Sequence, residues 1–501
     1  MAELRLSDTA SADVEAGALV VPLVRTSDGP VLASGHGLPR SAVSHLRSAI
    51  DTLHLTGDLG EVTLVPGVPR VMAPLVALTG LGARRGRSPL DPEQVRLGLG
   101  AATRRLAGRD HVAICPPSDD PSGLRAALEG AALGAYATTG YRSRHDDIRA
   151  VQTVTVLRCA TPEATGSHAR RAEVVGAAVA LCRDLVNDPP NILTPERFAE
   201  VVTRETRGTR TTVTVLDDQA LRTGGFGGIL GVSAGSSHGA RLVTMSHRPR
   251  GARGSIAFVG KGITFDSGGL CLKTPAGMLA MKTDMAGAAA VACAVLAIAH
   301  LRLPIEVTGY LALAENMPGA SAQRPGDVVA IRGGRTVEIV DTDAEGRMVL
   351  ADALALASES TPEAIVDIAT LTGAQITALG PRIGAVLAND ERLQAEVVAA
   401  GHSCGERLWP LPIPDDSAAT LRSTVADLRH MGPTDGGMLY AAGFLREFVG
   451  TAATGSPIPW AHLDIAGPAL NRDDAYGYVP KGGTGYGVRT LVALAERFAA
   501  R

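Results

Sequence analysis

The stretch AGAAAVACAVLAIAHL (286–301) contains no Asp, Glu, Lys or Arg and almost only small side chains. A helix that is apolar on every side has to be buried on every side. The runs around it, SIAFVGKGITFD (255–266) and IEVTGYLAL (305–313), read as strands, the first running into a loop that carries Lys261 and Asp266. Strand, buried helix and strand in that order describe α/β layers on a mainly parallel central sheet. The pattern continues through a strand at TVEIV (336–340), a helix at RMVLADALALAS (347–358) and a strand with its turn at AIVDIATLTG (364–373). GGFGGILG (224–231) lacks a convincing preceding strand and reads as a tight-packing loop.

The first third is α/β as well. GALVVPLV (17–24), VMAPLVALTGLG (71–82), HVAICPP (111–117) and VQTVTVLRC (151–159) read as strands. PEQVRLGLGAATRRLA (92–107) and SGLRAALEGAALGAYA (122–137) read as helices. A chain of 501 residues exceeds one ordinary core. The adjacent prolines of NDPPNILTP (187–195) break regular structure, which places an N-terminal α/β domain at 1–166, a linking helix at 167–186 and a second α/β domain at 187–501.

Bulk properties exclude several classes. A net charge of −3 with no Lys/Arg-rich run gives no general case for nucleic acid or membrane partners. No uninterrupted apolar run approaches 18 residues, so no membrane span is expected, and the N-terminus lacks the basic-then-apolar order of a signal peptide. Cys115, Cys159, Cys182, Cys271, Cys293 and Cys404 are scattered without a CxxC pair, which points to reduced thiols and a cytoplasmic protein.

Only four of the 48 basic residues are lysine, and three of them, Lys261, Lys273 and Lys282, fall within GKGITFDSGGLCLKTPAGMLAMK (260–282). An amine can lose its proton and ligate a metal, whereas a guanidinium stays charged. Asp266 and Asp284 lie in the same stretch, and DTDAEGR (341–347) follows with Asp343 and Glu345. In parallel α/β sheets such groups collect beyond the carboxyl ends of the strands. Four carboxylates on one edge repel unless cations neutralise them, and an oxygen-rich set with one amine suits divalent Zn, Mn or Mg. No HEXXH and no His pair with ligand spacing occurs. Asp341, Asp343, Glu345, Gly346 and Asp352 match the spacing of a calcium loop, but a strand pattern, not a helix, precedes them. GKGIT fails as a phosphate loop because Ser255 stands at the first glycine position and Gly262 follows the lysine.

Six blocks in order, KGITFDSGGLCLK, MKTDMAGAAAV, AENMPGASAQRPGDVV, DTDAEGRMVLADAL, ATLTGA and WAHLDIAGPA, closely resemble the leucyl aminopeptidase family of two-metal exopeptidases, over essentially all of 185–501. The resemblance implies a macro-like N-terminal α/β domain, a C-terminal metallopeptidase domain, a homohexamer and peptide substrates. It implies two divalent ions per subunit, Mn or Zn, with Asp266 and Glu345 bridging both, Lys261 and Asp284 completing one site, and Asp343 the other. A bridging hydroxide would attack the first peptide carbonyl, with Lys273 on that carbonyl and Arg347 holding a bicarbonate that acts as base. Met281, Thr370, Leu371, Thr372 and Gly373 resemble the part that lines the pocket for the N-terminal side chain, preferably an apolar, Leu-like one. Asp341 stands where the family usually has Asn, and Met348 where it has Leu. His462 reads as a packed structural histidine. Because some members of the family also bind DNA, a DNA-binding regulatory protein on the same scaffold is the alternative.

Overall fold

The computed structural model describes residues 2–84, 90–118, 120–138, 140–143, 149–157 and 165–501. They form two compact units, Met1–Ala180 with Asn471–Lys481, and Leu181–Leu470 with Gly482–Arg501. Helix Thr165–Asn187 covers the expected linking segment, and the division falls inside it. Asn471–Lys481 joins the first unit, an exchange that a single cut in the chain does not anticipate. Its reason is specific. The Arg104 guanidinium donates to the carbonyls of Ala475 and Gly477, and the Tyr478 hydroxyl donates to Glu93.

The first unit is built on a seven-stranded sheet whose main path runs Glu3–Ser7, Thr153–Leu157, His111–Ile114, Ala18–Thr26, Leu75–Ala83, Val62–Pro66. All neighbours on that path pair in parallel except the last two. Helices Pro92–Arg105 and Pro121–Gly134 each start on an Asp-Pro step, with Asp91 and Asp120 capping free N–H groups. The two helices touch through backbone, since a Cβ at Gly134 would lie 2.4 Å from the Gly100 carbonyl oxygen. Cys159 lies outside the described residues, and no disulfide joins the other five cysteines.

The second unit carries an eight-stranded sheet in the order Leu408–Leu411, Gly384–Ala388, Trp460–Asp464, Ala364–Ala369, Ser255–Asp266, Glu306–Asn316, Arg241–His247, Thr212–Leu216. The four strands from Trp460–Asp464 to Glu306–Asn316 are mutually parallel, and antiparallel pairings begin on either side of them. Helix Ala286–Leu301 is the buried helix expected from its composition. It lies so close to the sheet that a Cβ at Gly287 would come within 2.1 Å of the Ile368 carbonyl oxygen. With the short turns before it, the stretch Pro275–Leu301 is long and apolar enough to cross a membrane, against the expectation of no membrane span. Its most apolar window is 89% buried inside the molecule, as befits a core helix.

Three local expectations need correction. Strand Ser255–Asp266 does not give way to a loop; Lys261 sits mid-strand and Asp266 is its last residue. TVEIV contributes Thr336–Glu338 to a separate three-stranded sheet with Val328–Ala330 and Leu428–Arg429, so DTDAEGR reaches the site from the side. The glycine-rich 224–231 stretch is not a loop throughout, because Gly227–Ser233 is helical. Its glycines serve close packing, as a Cβ at Gly228 would fall 2.3 Å from the Met348 carbonyl oxygen.

Candidate metal centre

Asp266 stands opposite Asn316 at the paired ends of two parallel strands, after a register shift between Ile263 and Asp266. Such an irregularity re-aims the side chains beyond it. Asp284 lies in the turn before helix Ala286–Leu301, and its carbonyl accepts the Ile263 N–H at 3.2 Å. Glu345 is the N-cap of helix Gly346–Glu359, with Asp343 in the loop before it. The expectation that these four acids share the strand-end edge is met in space, although only Asp266 belongs to a strand of the central sheet.

One oxygen from each of Asp266, Asp343 and Glu345 can be chosen so that all lie within 4.8 Å of one another. Lys261 Nζ lies 2.8 Å from Asp284 Oδ2 and 2.8 Å from Glu345 Oε1, and donates to the Thr370 carbonyl at 3.0 Å. Lys273 Nζ lies 2.8 Å from Asp266 Oδ2 and also pairs with Asp343 Oδ1. Two ammoniums therefore divide four carboxylates. Lys282 is not among them and donates instead to the Asn187 carbonyl. Gly346 makes room for the first amine, since a Cβ there would be 2.6 Å from Lys261 Nζ.

The electrostatics follow from crowding. Burial pushes Asp284 well above the carboxylate range, and Glu345 and Asp266 add to it against the pull of Lys261. Asp266 is raised by burial and by Glu345, and Asp343 by burial. Burial would lower Lys261, but Asp284, Glu345 and Asp266 outweigh it and raise its pKa. Glu345 Oε2 is buried without a hydrogen-bond partner. Four acids against two amines, hard oxygen donors and an orphaned buried carboxylate oxygen fit divalent cations.

Several supporting residues escaped the sequence reading. The Asn316 amide donates to Asp266 Oδ1 at 2.8 Å and to the Thr342 carbonyl at 3.0 Å. Thr342 Oγ1 accepts the Cys271 N–H at 2.8 Å and donates to the Gly268 carbonyl at 2.6 Å. His430 accepts the Val340 N–H on Nδ1 and donates from Nε2 to the Asp341 carbonyl, at 3.1 and 2.8 Å. Burial and the Arg347 charge hold His430 down at about 4, so it is a neutral clamp on the acidic loop. The available signal for Asn316 was its place at the carboxyl end of a buried parallel strand.

Arg347 is buried, donates from Nη1 to the His430 carbonyl at 2.7 Å, and leaves Nε without a hydrogen-bond partner. Burial lowers it to about 10 against the opposing charges of Glu345, Asp464 and Asp341. Asp341 Oδ1 accepts the Asp343 N–H at 2.9 Å, the turn bond typical of Asp. Its charge also reaches Asp343 and Arg347. Asp352 is no calcium ligand, because its oxygens accept the N–H groups of Ile229 and Arg332 at 2.8 Å each. Met281, Thr370, Leu371 and Thr372 are half-buried and Gly373 exposed; the Thr370 hydroxyl donates to Asp284 Oδ1 at 2.7 Å. His462 is packed as expected, with Nδ1 2.5 Å from Asp367.

Acids and lysines gathered by loops and helix starts beside the carboxyl ends of the central parallel strands make an α/β metal site. The catalytic-domain model of the cytosol aminopeptidase family matches residues 180–492, and the N-terminal-domain model of the same family matches 20–145. A protein of Micrococcus luteus described as a probable cytosol aminopeptidase is 46% identical over 503 residues, covering 98% of each chain. One of Streptomyces coelicolor with the same description is 44% identical, covering 100% of this chain and 99% of its own. Among solved structures, the bottromycin maturation enzyme BotP in complex with Mn superposes with a TM-score of 0.83 at 36% identity, covering 97% of this chain and 100% of its own. A mutant tomato leucine aminopeptidase gives 0.85 at 30% identity, with 99% and 97% covered. The chain belongs to the cytosol aminopeptidase family and is a metal-dependent aminopeptidase.

Proposed function

We propose that this enzyme removes N-terminal residues, preferably apolar and Leu-like, from peptides with two divalent cations per subunit, Mn or Zn. The observation that carries the reading is the buried surplus of carboxylate, with Glu345 Oε2 left without a hydrogen bond. Asp266 and Glu345 would each reach both cations, Lys261 and Asp284 would complete one site and Asp343 the other. Bound cations would lower the pKa of a water and stabilise negative charge on the scissile carbonyl oxygen.

The residues divide the remaining work. Lys273, at the more open end of the cluster beside Asp343, would donate a hydrogen bond to the substrate carbonyl. The free Nε of buried Arg347 supports a small anion such as bicarbonate, which would take up a proton from the attacking water. Met281 and the Thr370–Gly373 turn would receive the side chain, with Asp341 close by. The free α-amine would complete the cation site, which confines cleavage to chain ends. Family resemblance further supports a homohexamer in the cytoplasm.

The test compares leucyl amide with its N-acetyl derivative after reconstitution with Mn or Zn, with metal content measured on the same samples. The expected result is two ions per subunit and loss of nearly all turnover on acetylation. Comparable cleavage of both substrates, or full activity with one ion, would overturn the reading.

A further inference from the structure

The Thr370–Gly373 turn is tied down from two sides. Thr370 is bonded to the acid set, through its hydroxyl to Asp284 and its carbonyl to Lys261. On the other side, Asp464 ends strand Trp460–Asp464 and accepts the Leu371 N–H at 3.1 Å, the Thr372 hydroxyl at 2.7 Å and the Ala466 N–H at 3.2 Å. These three donors are neutral, and Asp464 is fully buried. A buried carboxylate held by neutral donors needs further support to stay in one place.

That support stands behind it. His462, two residues earlier, faces the same side of the strand. Its Nδ1 lies 2.5 Å from Asp367 Oδ1, and Asp367 Oδ2 accepts the Trp460 indole N–H at 2.7 Å. Strand register sets Asp367 opposite His462 and Ala369 opposite Asp464. Asp367 and His462 are both fully buried, and His462 Nε2 has no hydrogen-bond partner. Burial alone would lower His462, yet Asp367 and Asp464 raise it, and the ring in turn opposes the upward push of burial on Asp464. Asp367 thus orients the imidazole from the neighbouring strand, and the ring stands two residues from Asp464 on the same face of its own strand.

We propose that Asp464 is the positioning residue of the substrate side-chain pocket and that the buried Asp367–His462 pair fixes Asp464 against the turn. The proposal rests on the reading above that Thr370–Gly373 lines that pocket. Leu371 is aimed through its own N–H, and Thr372 also caps helix Gly373–Leu379 by accepting the Gln375 N–H at 3.1 Å. One carboxylate thereby sets both the path of the turn and the start of the helix behind it. His462 touches neither substrate nor turn, so its effect would reach the reaction only through Asp464.

The experiment measures kcat and KM for leucyl and glycyl amides on the Mn-loaded enzyme, and Mn affinity by titration calorimetry. His462→Gln and Thr372→Val are expected to raise KM for the leucyl substrate about tenfold and to flatten the Leu-to-Gly ratio of kcat/KM, with kcat held within about twofold. Mn affinity should not change, and Thr372→Ser, which keeps the hydroxyl, should restore the ratio. If His462→Gln does not fold, Thr372→Val and its serine counterpart still decide the matter. Leu371→Ala separates the two layers of inference. A ratio that shifts in Leu371→Ala but in neither His462→Gln nor Thr372→Val leaves the pocket standing and overturns the relay. A ratio unmoved even in Leu371→Ala overturns the pocket assignment and the proposal together.

Discussion

In the first unit Glu129 is buried among Arg96, Arg171 and Arg125, at 2.5, 2.6 and 3.0 Å. Burial pushes its carboxyl up, but the three guanidiniums win and hold it at about 2. In the second unit four carboxylates share Lys261 and Lys273, and Asp266 and Asp284 are driven above their ordinary range. The first cluster turns three guanidiniums on Glu129, permanently charged planar forks that satisfy it completely. The second has four acids for two bases, each a compact amine that can give up its place or its proton. A chain that writes 44 of its 48 basic residues as Arg puts lysine where the cluster has to remain open to a further cation.

The sharpest way to break this contrast is to exchange the bases. Lys261→Arg keeps the formal charge, but Gly346 already sits against the amine, and a guanidinium cannot ligate. Turnover should fall on the order of 10³-fold with loss of one metal site, read by steady-state kinetics and metal analysis. Undiminished occupancy would mean that the amine is no ligand. In the first unit, Glu129→Gln should leave kcat and metal content alone but cost about 3 kcal/mol, because the buried Arg96 and the half-buried Arg171 lose their shared carboxylate. Thermal unfolding with an activity assay on the surviving native enzyme checks both halves.

The same cluster gives a pH prediction with a definite sign. Glu129 titrates at about 2 in the folded chain against 4.5 as its ordinary value, so its stabilisation is complete above that value and is lost as pH falls toward 2. The linkage is worth at most about 3 kcal/mol. Unfolding midpoints between pH 6 and 3 should fall more steeply in the wild type than in Glu129→Gln; parallel curves would contradict it. The smallest effect is expected at Asp341→Asn. The amide oxygen can keep the bond to the Asp343 N–H, so only a charge is lost, about 1 kcal/mol or fivefold in affinity for the more weakly held metal. The Glu-to-Leu ratio of kcat/KM should rise together with that loss, and an unchanged ratio and affinity would reduce Asp341 to a turn residue.

Much of this architecture was legible because apolar patterning is a local property. Ala286–Leu301 and Ala364–Ala369 fall where their composition puts them. What the pattern could not say is which sheet a strand joins: Thr336–Glu338 looks like any other strand and pairs away from the central sheet. Gly227–Ser233 was missed because glycine is a poor helix former in isolation, and contact with Met348 overrides that preference. For the site, carboxylates and lysines stand out as charges, and the distribution of lysine singled them out. Asn316, Thr342 and His430 act by satisfying oxygens of their neighbours, and a neutral hydrogen-bonding residue has no signature until the fold brings its partner within reach.

The return of Asn471–Lys481 to the first unit bears on how the chain is made. Synthesis has to deliver all of Leu181–Leu470 before Tyr478 can meet Glu93, or Gly477 the Arg104 guanidinium. Domains usually close as they emerge, the N-terminal one first. Here the first unit is finished only after most of the second has been made, and a nascent chain stopped at Leu470 would carry a first unit still waiting for its final segment.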